Sequence, residues 1–239
     1  LFRSIKFTDV FSNSIVLSLM RLLFSFPMPI LLALALNEIT SVRYKKITQT
    51  IIYLPHFIGW VVVYTILQGF LSQADGIVNQ VIVMFGGKKI PFLASEPWFR
   101  PVMILSEIWK EAGWGTVVYL AALAGIDPAI QEAAMIDGAN RWQRIRYIFL
   151  PCILSTVTVM LIMRMGTILN NGLEQTLLFQ NSMNIDVSEV LETYSYSVGL
   201  KQGRFAFGTA IGLFQSVVGC IMVFVSNFIS KKTGGSGLW

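Results

Sequence analysis

Residues 148–170 read IFLPCILSTVTVMLIMRMGTILN, a run in which Arg164 is the only charge. A helix needs about 20 such residues to cross the hydrocarbon of a bilayer. Four further stretches match this one, at 13–36, 51–72, 101–124 and 206–230. None alternates with period two, as strands of a membrane barrel do. Backbone groups in lipid must be paired within their own segment, which leaves the helix. The sequence therefore predicts an all-α membrane protein, with five spans in a single transmembrane domain over residues 1–239. Pro27 and Pro29, inside the first span, predict a kink or a break there.

The composition agrees. Hydrophobic residues make up 54% and charged residues 13% of the 239 positions, against about 25% charged in an average soluble domain. The mean hydropathy is +0.65. These values exclude a soluble globular domain and a disordered chain. Two cysteines exclude a disulfide scaffold and a zinc cluster, and one histidine excludes a multi-histidine metal site. Cys152 and Cys220 fall in separate spans and read as buried free thiols. No catalytic set is recognisable: no Ser-His-Asp arrangement, no paired carboxylates, no metal ligands. The net charge of +5 comes without a Lys/Arg block, so no nucleic acid partner is expected; basic residues beside spans set orientation instead.

Five spans place the connections alternately on two sides. The segments 37–50, 125–147 and 231–239 carry Arg43, Lys45, Lys46, Arg141, Arg144, Arg146, Lys231 and Lys232, eight basic residues in 46. The segments 1–12, 73–100 and 171–205 carry seven in 75, namely Arg3, Lys6, Lys88, Lys89, Arg100, Lys201 and Arg204. The denser set is assigned to the cytoplasm. Two long outer loops of 28 and 35 residues follow, of a length that is functional or holds short helices. The segment 231–239 reads as a short polar tail. The chain opens on Leu1-Phe2-Arg3 and shows no signal peptide.

Between the third and fourth spans, residues 127–151 read DPAIQEAAMIDGANRWQRIRYIFLP. Asp127 before Pro128 is a helix start, Ala129 to Asp137 makes about two and a half turns, and Gly138 is a stop. A second short helical piece carries Arg141, Arg144 and Arg146. The result is a helix–turn–helix elbow on the cytoplasmic side, with Ala133 and Ala134 beside the carboxylate of Glu132. Such a helix suits insertion into a groove on another protein; the residues fit a solvated inner loop equally well.

Glu132-Ala133-Ala134, then Gly138, then Ile148 and Leu150-Pro151 resemble, at matching spacing, the EAA loop of permease subunits in binding-protein-dependent ABC importers. PMPILLALALNEI at 27–39, YLPHFIGWVV at 53–62, IWKEAGWGTVVYLAALAGIDP at 108–128 and NNGLEQTLLFQN at 170–181 are similar to the oligosaccharide branch related to maltose permease, and more narrowly to its polysaccharide-type members. The resemblance covers nearly the whole chain. It implies the ABC importer permease fold, with one further helix expected upstream of this chain's first residue. It implies that the elbow is a coupling helix docking on an ATPase subunit, with Glu132 meeting a basic group, Gly138 permitting the turn, and Ala133, Ala134, Asp137 and Arg141 in the same coupling set. It also implies partners: a second permease, two ATP-binding subunits holding ATP and Mg, an extracellular or periplasmic binding protein, and an oligosaccharide. No cofactor is expected in this chain. Gly86-Gly87-Lys88-Lys89 lacks the spacing of a phosphate-binding loop, so ATP hydrolysis belongs elsewhere and the chain is not itself an enzyme. A bacterial-type cytoplasmic membrane is the implied location. An importer for another solute, such as an amino acid or phosphate, an ATP-independent transporter and a membrane enzyme are the competing readings.

Arg21, Glu107, Lys110, Glu111 and Arg164 fall inside spans, where charge is costly and faces water or another charge. At about 1.5 Å per residue all five lie in the outer half or near the midplane. Glu107 can reach Lys110 and Glu111 by helical spacing. They form either a polar vestibule for substrate or internally paired structural charges. Asn170, Asn171, Glu174 and Gln175 follow span four, as sugar-binding side chains or as helix caps. Trp60, Trp109, Trp114 and Tyr119 are read as packing residues rather than sugar platforms, and His56 as a packing or interfacial residue. Gly208, Gly212, Ser216 and Cys220, four apart, form a small-residue face for close approach of a helix of this chain or of the second permease.

Overall fold

The apolar stretches are helical in the computed structural model, which describes residues 6–232 and 237–238. Arg3, counted above among the outer basic residues, and tail positions 233–236 and 239 lie outside the described residues. The helices are α1 (Phe7–Met20), α2 (Pro27–Asn37), α3 (Val42–Tyr53), α4 (Trp60–Leu71), α5 (Ile77–Met84), α6 (Glu96–Ala124), α7 (Pro128–Ile136), α8 (Arg141–Arg144), α9 (Leu150–Gly166), α10 (Leu173–Phe179), α11 (Ile185–Ser188), α12 (Leu191–Tyr194) and α13 (Phe205–Lys232). Among the described residues no strand forms.

Among the described residues, three helical runs are long and apolar enough to cross a membrane alone: Phe7–Asn37, Arg141–Gly166 and Phe205–Lys232. The break expected at Pro27 and Pro29 takes a milder form. A π-helical turn, Arg21–Ser25, precedes Pro27, which then serves as the first residue of α2. Winding changes where proline cannot donate, and the helix carries on.

The second span differs from the straight helix expected over 51–72. Val42–Phe57 and Trp60–Leu71 are separated by a break and reach spanning length only together. Pro55 lies in a 3-10 turn, Leu54–Phe57, and Gly59 is extended as the N-cap of α4. Hydropathy reads through such a break because Leu, Pro, Phe and Gly are all uncharged.

The chain forms two compact units. One gathers Leu1–Leu23, Ile58–Ile108 and Ile168–Val218. Its core has two apolar clusters, one around Val10, Leu169, Leu191 and Ile211, the other around Leu17, Phe99, Met103 and Val190. Both long loops assigned to the outside belong to it, and they hold the short helices α5 and α10 to α12. The other unit gathers Phe24–Phe57, Trp109–Thr167 and Gly219–Trp239, with a core of Ile30, Ala33, Leu34, Tyr119, Leu123, Phe149 and Ile153. In it Gly113 lies directly against the Ile52 carbonyl and Gly219 against the Gly166 carbonyl, too close for any side chain.

The small-residue face on α13 is used in part. Gly208 backs onto Gly199, where an added Cβ would stand 3.1 Å from the Gly199 Cα. Gly212 borders open space, and the Ser216 hydroxyl donates to its carbonyl at 2.9 Å. Both cysteines are free thiols, but they are exposed rather than buried as expected. Apolar composition does not tell an inward face of a membrane helix from a lipid-facing one, and Cys152 and Cys220 lie on outward faces.

Candidate functional site

The elbow is built from local signals. The Asp127 carboxylate accepts from the Ala129 N–H at 2.9 Å, and Pro128 fills the first helical position, where no N–H is needed. At the far end Gly138 has φ +77°. Its N–H donates to Met135 O at 3.1 Å, and the Ala139 N–H donates to Ala134 O at 2.9 Å. This pair of bonds closes α7 in a Schellman stop, which needs the left-handed conformation glycine adopts freely. Asn140 then opens α8 in a capping box with Gln143, its Oδ1 accepting from Gln143 N at 2.9 Å while its own N–H donates to Gln143 Oε1 at 2.7 Å. The spacing Asn140-x-x-Gln143 is a readable signal that the sequence reading passed over. Helical winding runs on without interruption from Arg141 to Gly166, so the expected second short piece is the start of the fourth span. The two helices flanking Gly125–Asp127 meet at 78°.

No residue of α7 is buried. Glu132 and Ala133 are exposed, and so are Ile136 and Trp142, at 86% and 79%. A rigid, capped helix with apolar knobs and one carboxylate, all unused by the unit that holds it, is a surface made to be covered. Arg144 anchors the elbow from behind, donating through Nη2 to Glu38 Oε2 at 2.9 Å. Arg141, placed in the coupling set by its position, reaches the same oxygen at 3.9 Å. Glu38 was not singled out in the sequence, although it is the one carboxylate in the basic stretch 37–50.

The in-span charges resolve into separate groups. In the first unit Arg21, only 4% exposed, lies 3.2 Å through Nε from Glu107 Oε2. Its Nη2 donates to Gln175 Oε1 at 2.6 Å, and Gln175 Nε2 donates to Met103 O at 2.9 Å and Ser106 Oγ at 3.0 Å. Asn171, fully buried, joins this region. Its N–H donates to Glu192 Oε2 at 2.7 Å, and its side chain contacts Ser14, Ser18 and Leu169. Burial pushes the Glu192 carboxyl above its usual range, against the opposing pull of the Asn171 N–H, Arg21 and the Gly172 N–H. Glu192, Ser14 and Ser106 are members the sequence reading missed. Asn170 and Glu174 are exposed.

Lys110 and Glu111 belong to the second unit. Lys110 is buried and donates to Glu111 Oε1 at 2.9 Å and to the His56 carbonyl at 2.8 Å. His56 Nδ1 lies 2.7 Å from Glu111 Oε2, and its ring stacks on Trp114 at 4.8 Å and 4°. The aromatics at this point pack: Trp114 also meets Tyr53 and Phe57 edge-on, and Tyr119 is in the core. Arg164 sits half-buried in the last turn of α9, a favourable place for a cation.

Residues 25–234 match the family described as binding-protein-dependent transport system inner membrane component. Two proteins of Bacillus subtilis strain 168 are similar over 100% of this chain: LplB, 44% identical and covered to 75%, and the polygalacturonan/rhamnogalacturonan transport system permease protein YteP, 45% identical and covered to 74%. Among solved structures, a chain of a bacterial alginate ABC transporter in complex with an alginate pentasaccharide-bound periplasmic protein matches with a TM-score of 0.94 at 44% identity, over 100% of this chain and 83% of that one. A chain of a bacterial ABC transporter importing the acidic polysaccharide alginate matches with a TM-score of 0.92 at 45% identity, over 97% and 81%.

Proposed function

The chain belongs to the inner membrane components of binding-protein-dependent transport systems, the multi-pass permease subunits of ABC importers, and from that membership we propose that it forms half of the membrane pathway for an oligosaccharide. The second half is another permease subunit. Two ATP-binding subunits hydrolyse ATP, and an external binding protein delivers the sugar. The polygalacturonan/rhamnogalacturonan permease and the alginate transporters among its relatives support a saccharide over an amino acid or phosphate.

The observation that carries the coupling role is the exposed, doubly capped α7 with the Arg144–Glu38 anchor behind it. Glu132, Ala133 and Ala134 enter the cleft of an ATPase subunit, Asp137 and Gly138 set the turn, and closure of the two ATPases drives the elbows together. Such rigid-body motion switches access between the two sides of the membrane. Of the polar residues near the outer ends of the spans, the exposed Asn170 and Glu174 are offered to the pathway, whereas Arg21, Glu107 and Asn171 frame it from within.

Purification of the chain from its native membrane in a mild detergent, with mass spectrometry of what accompanies it, tests this reading. An ATPase, a second permease and a solute-binding protein are expected. Recovery of the chain alone, under conditions that keep complexes intact, would sink the importer reading.

A further inference from the structure

The first unit contains an open cleft of about 710 Å3, separate from the Arg21 network. Its walls come from three stretches distant in sequence: the end of α4 with the turn after it, the segment 91–94, and the turn 181–183. Side-chain amides, one of them fully buried, tie these walls together. Asn79, with no exposed surface, donates to Ser72 O at 3.0 Å and Ile90 O at 2.9 Å, and accepts from the Ile90 N–H at 2.7 Å. Asn181 donates to Leu93 O at 2.9 Å. The Tyr64 ring meets Phe179 edge-on at 5.0 Å. Burying an amide costs free energy unless all its bonds are made; here the bonds made are the ones that shape the cleft.

Other polar groups of the lining are unspent. The side-chain amides of Gln68 and Gln73 and the hydroxyl of Ser182 make no hydrogen bond among the described residues. Asp75 supplies the one charge of the lining. Lys89 is outside it, with its ammonium on the Ala74 carbonyl at 2.6 Å. Amides that both donate and accept, a carboxylate that accepts, and apolar surface from Tyr64 and Leu71 match the vicinal hydroxyls and C–H face of a sugar ring. The volume falls in the range of small-molecule sites, about 300–1,000 Å3. A uronate carboxylate would face Asp75 with no lining cation to offset it, and like charges at such range repel.

We propose that this cleft is a subsite for an uncharged sugar unit of the transported chain, an inference that rests on the oligosaccharide reading above. It is tested in the complete complex in nanodiscs. With Cys152 and Cys220 replaced by Ser, Met183→Cys is labelled by a water-soluble maleimide in the presence of neutral trisaccharides (maltotriose, xylotriose, raffinose), of trigalacturonate, or of sugar-free binding protein. A ligand at about four times its Kd leaves about one fifth of its site free, so a neutral trisaccharide slows labelling about fivefold and trigalacturonate does not. Asp75→Asn brings trigalacturonate into protection. Saturation-transfer NMR on the unmodified complex gives the same decision without substitution, with transfer to a neutral trisaccharide that Gln68→Ala removes. Protection by none of the neutral sugars, or by trigalacturonate alone, overturns the proposal, and so does protection by sugar-free binding protein alone, which would make the cleft a protein-docking surface. ATP hydrolysis stimulated by loaded binding protein is read in the same preparation. Stimulation without sugar protection removes the subsite only, whereas no stimulation removes the importer reading.

Discussion

Arg144 in α8 and Glu38 at the end of α2 share a hydrogen-bonded ion pair at 2.9 Å, with side chains 17% and 13% exposed. The pair joins the elbow to a transmembrane helix of its own unit, so force on α7 has a fixed route into the spans. Arg141 approaches the same oxygen from solvent, at 75% exposure, and adds little.

Glu38→Ala leaves the Arg144 guanidinium largely buried without its carboxylate. Truncation of one such partner costs about 1–3 kcal/mol. Thermal unfolding of the purified chain in detergent should show that loss, and stimulated ATP hydrolysis should fall further than stability does. Arg141→Ala should change neither by much. Equal effects of Glu38→Ala and Arg141→Ala would show that the pair is not the anchor.

Gly138 has φ +77° with open space around it, so conformation rather than crowding constrains it. A residue with a Cβ pays about 1–2 kcal/mol there, and Asn pays least among them. Gly138→Val should unwind the Schellman stop and abolish stimulated ATP hydrolysis while membrane insertion is unchanged, with Gly138→Asn retaining most of it. Indifference to Val would mean the turn is not transmitting.

Glu132 is exposed on a helix that buries nothing. Glu132→Ala should therefore shift stability by no more than about 0.5 kcal/mol and still remove ATP hydrolysis stimulated by the loaded binding protein. A melting point lowered in step with activity would assign Glu132 a structural role instead.

The Glu192 carboxyl is raised above its ordinary value of 4.5 by burial. A raised value in the folded state means that folding favours the protonated form. The associated stability is fully present below pH 4.5 and is lost as pH rises through the folded value. Glu192→Gln is always neutral, and its amide oxygen can still accept from the Asn171 N–H. Melting curves of wild type and variant should converge at the acid end of this window and separate above it, with the wild type the less stable. The opposite order would mean that Asn171, Gly172 and Arg21 outweigh burial.

What was legible in the sequence follows the range of each interaction. Asp127, Pro128 and Gly138 act on groups within five residues, so the elbow could be read almost residue by residue. The capping box at Asn140 is equally local, joining residues three apart. Arg21 and Glu107 stood out as charges in apolar runs, but Gln175 reaches Arg21, and Asn171 reaches Ser14, across more than 150 residues. No spacing rule reaches that far, nor from Glu38 to Arg144. The bend at Gly59 was hidden for another reason: hydropathy measures transfer from water and is blind to winding.

The same buried region holds the choice left open between a vestibule and a structural pair. Arg21 is nearly inaccessible and shares its donors between Glu107 and Gln175, which favours structure. Removing one member of a buried pair strands the other, at about 3–5 kcal/mol, whereas replacing both by apolar residues of similar size is often neutral. Arg21→Met should therefore fold poorly, and Arg21→Met with Glu107→Leu should recover most of the stability. Uptake of radiolabelled oligosaccharide by the complete complex then decides. A structural pair predicts that the double variant transports at half the wild-type rate or better. If it folds as well as the wild type yet carries no sugar, the two charges contact substrate in some state of the cycle, and Arg21 and Glu107 return to the pathway.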